Sequence, residues 1–242
     1  MINVREKVVK EIDREIVYDE AHWVLLKEKR EKASRIMNVL ISNGLRPYAY
    51  GSIARGDVHK RSDIDIVILE PIQVFIVEQA IEIEFGSLYA REIVQATPKN
   101  TPKALIYIDY ETTITIPLIP LKKTEYEFYK FGGMIDYYSI RELKKRVKGV
   151  DKRLVLIIPT DKGHRELSII GREEWVAKIL GISIDTVKER VKVLTKRDEV
   201  GRTGVFIKKS LGPEESFDIV FKKLIDSNPA LRRLLRKRRK RV

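Results

Sequence analysis

Apolar residues recur at helical spacing through residues 19–42, where Trp23, Leu26, Ala33, Ile36 and Leu40 share one face, and Gly44 follows as a C-terminal stop. The period then shortens. Residues 47–51 are short, aromatic and apolar and predict a strand; residues 51–55 can open a helix, and 56–62 form a polar, charged loop. The run DIDIVILE at 63–70 predicts a strand with a buried upper half, stopped by Pro71. Residues 72–96 read mainly as helix, although IEIEF at 81–85 alternates as a strand does. Pro98 and Pro102 bracket a turn, 105–121 predicts a β-hairpin turning near Asp109 to Glu111, and 125–146 reads as helix interrupted at Gly132 and Gly133.

The stretch 148–151 reads as a boundary. Beyond it, 153–159 predicts a short strand, 172–196 two helical patterns split by Gly181, and 199–208 a small hairpin. A final helix is expected from Pro213 into the C-terminus. The domains expected are therefore 1–150, 151–212 and 213–242, with no internal repeat.

Composition narrows the chemistry. Of the 242 residues, 43% are hydrophobic and 34% charged, and no apolar run approaches the roughly 18 residues a membrane span requires. The N-terminus is too charged for a signal peptide, so the expected location is cytoplasmic. The absence of cysteine excludes disulfides, thiol catalysis and cysteine-based zinc sites. Only His22, His59 and His164 are present, and none of their spacings suits a histidine-rich metal site. The net charge is +13, and the last 13 residues carry eight of the cations, among them Arg236, Arg238 and Arg239, with no acid. Such a segment suits a polyanion, most simply nucleic acid, DNA or RNA.

The residues that carry chemistry are Tyr50-Gly-Ser-Ile-Ala-Arg-Gly-Asp57 and Ser62-Asp-Ile-Asp-Ile66. Gly51 lets the backbone approach a phosphate closely, and Ser52 adds a hydroxyl where a helix would begin, a natural anion site. Asp63 and Asp65, two apart in a strand, project from the same face, while Ile64 and Ile66 anchor the other. Paired carboxylate oxygens suit Mg²⁺ or Mn²⁺ bound to a triphosphate.

Gly51-Ser52, ten residues, then Asp63-Ile64-Asp65 is similar to the signature of the DNA polymerase beta-like nucleotidyltransferases, and the flanking Ala54-Arg55-Gly56-Asp57 resembles its minimal members. The resemblance implies an α+β fold, a mixed sheet flanked by helices. It also implies attack by a hydroxyl on the α-phosphorus of a nucleoside triphosphate. By carry-over Gly51 and Ser52 would hold the terminal phosphates and Asp63 and Asp65 would bind the metal; Arg55 would either help with phosphate charge or serve as a surface ion-pair residue. The family usually adds a third carboxylate on a neighbouring strand. Here Thr113 and Thr115 occupy the mid-strand positions of matching parity, which leaves Asp109 at the hairpin tip as first candidate and Glu111 behind it.

Ala177, Gly181 and Val187 fall at helix-turn-helix offsets, with Val176, Leu180, Ile182, Val191 and Leu194 completing a small core and Ser183 as N-cap of the second helix. Thr186, Lys188, Arg190 and Lys192 are expected on its exposed face, and Arg202 at the tip of a wing, completing a C-terminal winged helix-turn-helix module that binds nucleic acid. The arrangement resembles archaeal nucleotidyltransferases with an appended helix-turn-helix. The rival expectation is a DNA-binding regulator whose degenerate nucleotidyltransferase fold only senses nucleotide.

Overall fold

The computed structural model describes residues 7–201 and 204–239. Along these the chain runs β1 (Asp13–Val17), α1 (Glu20–Ser42), β2 (Pro47–Tyr50), α2 (Ser52–Arg55), β3 (Ile64–Ile68), α3 (Val74–Phe85), β4 (Ala90–Gln95) and β5 (Lys103–Tyr107). It continues through β6 (Thr112–Pro117), α4 (Lys123–Phe131), β7 (Met134–Asp136), α5 (Tyr137–Ile140), β8 (Gly149–Val150), β9 (Val155–Thr160) and β10 (Gly163–Ser168). The last elements are α6 (Glu173–Leu180), α7 (Ile184–Val200), β11 (Ile207–Ser210), α8 (Phe217–Ser227) and α9 (Pro229–Arg239). The fold is α+β. It divides into two compact units interleaved along the chain: Met1–Arg35, Tyr48–Ile64 and Lys123–Thr203 in the first, Ile36–Pro47, Asp65–Lys122 and Gly204–Val242 in the second.

In the first unit β1, β10, β9 and β8 form an antiparallel sheet in that order, with Asp13 opposite Leu167 and His164 opposite Pro159. β2 and β7 pair antiparallel, Tyr48 opposite Asp136. Leu154, Leu156, Leu167 and Ile169 share one core with Val176 and Ala177 of α6 and with Val187 and Leu194 of α7. The helix pair therefore packs on the sheet through the residues its spacing singled out. Gly181 makes the turn between the helices in the left-handed region, φ 61°. Ser183 occupies the N-cap position of α7, but its hydroxyl hydrogen-bonds Glu127 of α4 and Thr186 rather than a backbone amide.

The second unit is built on antiparallel β11, β4, β5 and β6, with β3 next to β6. Alternation fixes its faces. Ile93, Ala104, Ile106, Ile114 and Ile116 are fully buried, so Glu92, Tyr107, Thr113, Lys208 and Ser210 stand on the opposite side. Leu231 and Leu234 of α9 close a smaller core with Ile119 and Ile207. Asn228 accepts from the amides of Ala230 and Leu231, and Pro229 begins α9 where its missing N–H costs nothing.

Several sequence expectations change. Residues 72–96 are not mainly helical: α3 ends at Gly86 and β4 follows. IEIEF belongs to the helix, with Ile81 fully buried and Ile83 86% exposed. The helix expected over 125–146 stops at Phe131. The hairpin over 199–208 does not form, because Glu199 and Val200 complete α7 and Ile207–Ser210 pairs with β4 instead. β4 offers β11 a four-residue antiparallel ladder, whereas residues in a helix have no free ladder groups to give a hairpin partner. β1 and β10 carried no signal, since both alternate polar residues against few apolar ones. The expected single final helix is two, α8 and α9.

Behind β1, the Tyr18 hydroxyl and His164 Nδ1 are hydrogen-bonded at 2.6 Å in a buried setting, with His22 stacked on the Tyr18 ring. Burial pulls His164 below its ordinary value of 6.5, against the opposing charges of Asp57 and Glu166 and with a smaller push from His22. The unfolded chain therefore takes up a proton that the folded ring refuses. Stability conferred by the neutral ring is intact above about pH 6.5 and falls as pH drops below it. Glu166 adds to the loss at lower pH. Burial alone would raise it, but hydrogen bonds from Arg153 and Arg14 outweigh burial and hold it below 4.5. His164→Phe is expected to remove the first part of the decline in denaturation midpoint between about pH 7 and 5. An unchanged profile would assign that decline to other groups.

Candidate functional site

Gly51 adopts φ 83° and ψ −147°, a conformation essentially confined to glycine. Its N–H donates to the Gly133 carbonyl at 2.9 Å, and a Cβ added there would meet no atom within 4 Å, leaving open space beside the backbone. Its carbonyl accepts from the amides of Ala54 and Arg55, which closes α2 as a single turn. Gly56, at φ 101°, ends that turn by donating to the Ser52 carbonyl at 2.7 Å. One turn has a weak dipole, so any anion here would depend on the first amides and on the half-exposed Ser52 hydroxyl.

The turn is held rigidly from behind. Arg30 of α1, 2% exposed, donates from Nε to the Ile53 carbonyl at 2.8 Å and from Nη2 to that of Ala54 at 3.1 Å. Its Nη1 reaches the carbonyls of Glu142, Leu143 and Lys145. His22 Nε2–H donates to the Gly56 carbonyl at 2.8 Å.

Arg55, expected to meet nucleotide phosphate, is buried. Its Nε and Nη2 engage both Asp57 oxygens at 3.0 and 2.9 Å, and Nη1 donates to the Gly132 carbonyl at 2.6 Å. With all three nitrogens spent internally, Arg55 fastens the loop after α2. The expectation failed because Asp57, two residues on, competes for the guanidinium locally.

At β3 the exposure pattern follows the sequence: Asp63 exposed, Ile64 and Ile66 fully buried, Asp65 half-buried between them. Asp63 lies immediately before the strand and Asp65 is its second residue. The chain passes from the first unit to the second between Ile64 and Asp65, inside this continuous strand. Asp109 lies in the turn joining β5 to β6 and accepts the Glu111 amide at 3.0 Å, closing an Asx turn. Thr113, on β6, stands opposite Tyr107 of β5. Among the described residues no three His, Asp or Glu gather closely enough to hold a metal ion.

The residues expected to read nucleic acid divide. Lys188 and Lys192 are exposed on α7. Thr186 is 1% exposed and donates to Glu127 at 2.5 Å, and the Arg190 guanidinium lies 4.9 Å over the Phe128 ring, where burial lowers its pKa. These two face α4, a partner more than fifty residues upstream that the local spacing could not announce. Arg236 is exposed on α9, whereas Arg238 donates to the Thr101 hydroxyl at 2.8 Å and to the Pro120 carbonyl. Arg202 and the side chain of Arg239 lie outside the described residues.

The family model of the nucleotidyltransferase domain matches residues 26–226, from within α1 to the end of α8. No curated protein and no solved structure matches the chain. The matched span takes in the glycine-serine turn, Asp63, Asp65 and most of both units, and the chain belongs to the nucleotidyltransferase domain family.

Proposed function

We propose that this protein is a divalent-metal-dependent nucleotidyltransferase that moves a nucleoside monophosphate from a nucleoside triphosphate onto a hydroxyl. The observation that carries the reading is the start of β3, where Ile64 and Ile66 are fully buried while Asp63, just before the strand, is exposed and Asp65 is half-buried. The hydroxyl oxygen bonds to the α-phosphorus, the bond from that phosphorus to the bridging oxygen breaks, pyrophosphate leaves and the hydroxyl proton is lost. Ser52 holds the terminal phosphates with its amide and hydroxyl, and Gly51, whose own N–H is taken by the Gly133 carbonyl, leaves the room for their close approach.

Mg²⁺ or Mn²⁺ suits the two carboxylates, because Mg²⁺ keeps waters and takes further oxygens from substrate phosphates rather than needing a full protein cage. When bound, the ion neutralises charge on the phosphoryl group under attack. The test is transfer of label from each α-labelled nucleoside triphosphate, with protein alone and with total cellular RNA or DNA. Label in a macromolecule supports the enzyme. A specific observation favours a second reading, a nucleotide-sensing DNA-binding regulator: Thr113 and Thr115 fill β6, beside β3, where an acid would complete catalysis. Nucleotide binding without any transfer would support it.

A nucleic-acid acceptor would be drawn to the exposed Arg233, Arg236 and Lys237, which share one face of α9 at helical spacing, and to Lys188 and Lys192 of α7. Replacing the three α9 cations by glutamine is expected to lower the slope of log affinity against log salt by about two to three. Deletion of the helix is the poorer test, since Leu231 and Leu234 belong to a core. An unchanged slope would remove α9 from the interface. No described helix is long and apolar enough to cross a membrane.

A further inference from the structure

On the outward face of the second unit's sheet, β6 presents hydroxyls and no acid next to β3. A carboxylate does stand on that face: Glu92 of β4, two strands farther out, with a side chain 12% exposed. Tyr107 of β5 reaches across to it, its hydroxyl donating to Glu92 Oε2 at 3.1 Å. The other oxygen of Glu92 is fixed from β11, where Ser210 donates at 3.2 Å and Lys208 Nζ lies at 3.3 Å. Burial, then the charge and hydrogen bond of Glu92 and lastly the charge of Asp65, push the phenol up to about 12, so it keeps its proton at any ordinary pH. That proton is committed to Glu92. The phenol oxygen retains its lone pairs, made a better acceptor by the carboxylate behind it.

We propose that Tyr107, held by Glu92, binds the acceptor substrate, its phenol oxygen taking a hydrogen bond from an acceptor hydroxyl and orienting it beside Asp65. This rests on the nucleotidyltransfer reading. Tyr107 orients and does not deprotonate, since its oxygen already carries a proton. Glu92 is a positioning residue, and Ser210 and Lys208 keep it in place, which ties the acceptor side to a strand from the far end of the sequence. The hydroxyls of Tyr107 and Thr113 replace a third acid as the wall of the site.

The experiment compares wild type, Tyr107→Phe, Glu92→Ala and Glu92→Gln, titrating whichever of total cellular RNA or total cellular DNA the wild type labels, and separately the labelled nucleotide. Tyr107→Phe and Glu92→Ala are expected to raise the half-saturating acceptor concentration about ten-fold, the weight of one hydrogen bond between neutral groups at the upper end of the usual range. Nucleotide half-saturation should stay within about two-fold. Glu92→Gln, which can still accept from Tyr107, should fall between. Wild-type acceptor saturation in Tyr107→Phe would overturn the assignment, as would equal shifts for both substrates with a lowered melting temperature. A wild type that labels no macromolecule, neither RNA, DNA nor protein, would overturn the nucleotidyltransfer reading and this one with it, an outcome distinct from an active wild type matched by its Tyr107→Phe variant.

Discussion

Replacing Asp63 and Asp65 together by alanine will lower nucleotidyl transfer by roughly a thousand-fold or more and leave the protein folded. The size of the effect follows from what the pair is asked to do. A triphosphate brings several negative charges to the attacking oxygen, and two fixed carboxylates are what keep a neutralising divalent ion there. Fold is spared because neither side chain is in the core: Asp63 is exposed, Asp65 half-buried, and Ile64 and Ile66 hold the strand. Label transfer and a thermal melt on the same preparation separate the two effects. A double variant that transfers at the wild-type rate would sink the catalytic assignment, whereas loss of transfer with loss of the melt would show only that β3 needs its carboxylates to fold.

Arg30→Met will cost about 3 kcal/mol or more of stability. Arg30 donates to five backbone carbonyls and faces no carboxylate in those contacts. Burial, reinforced by the charge of Arg146, brings the guanidinium down to about 10, so at neutral pH it remains charged and every donor stays engaged. Methionine fills the volume but leaves those carbonyls without their donor. For a chain of this length the loss corresponds to a fall of about 10 °C in melting temperature. Arg30→Lys is expected to rescue little, because an ammonium on a flexible stem cannot span carbonyls on both Ile53–Ala54 and the 142–145 loop. Denaturant titration gives the number, and a change under about 1 kcal/mol would show that water replaces the arginine freely. In the lysine variant, which leaves α2 imperfectly held, nucleotide half-saturation should rise more than the rate falls.

What the sequence made legible was local. The glycine-serine turn and the alternation of Asp63 and Asp65 with Ile64 and Ile66 are defined by neighbours within a few residues, and the exposure of these four side chains follows that alternation. The core of α6 and α7 was legible for the same reason, through Ala177, Gly181 and Val187. What escaped depends on distant partners. Thr186 and Arg190 look solvent-facing on a helical wheel, yet α4 covers them. Arg55 resembles a free phosphate ligand until Asp57 and Gly132 are seen to take its nitrogens. Glu92 and Tyr107 carry no motif at all. Only the register of β4 against β5 brings them together, and β4 itself lies in a stretch whose pattern predicts helix.

The interleaving of the two units has a consequence for synthesis. Ile207 of β11 pairs with Gln95, and the core that α9 completes reaches back to Ile119. The second unit can close only after β11 and α9 have left the ribosome, more than a hundred residues behind β4, so its folding is governed by late, long-range encounters rather than by growth from one end. Until β11 arrives, β4 is an open strand edge, which invites pairing with other chains. Arg91 puts a charge on that edge strand, and Glu78 of α3, bound to it at 2.7 Å, holds it while the nascent sheet waits for its last strand.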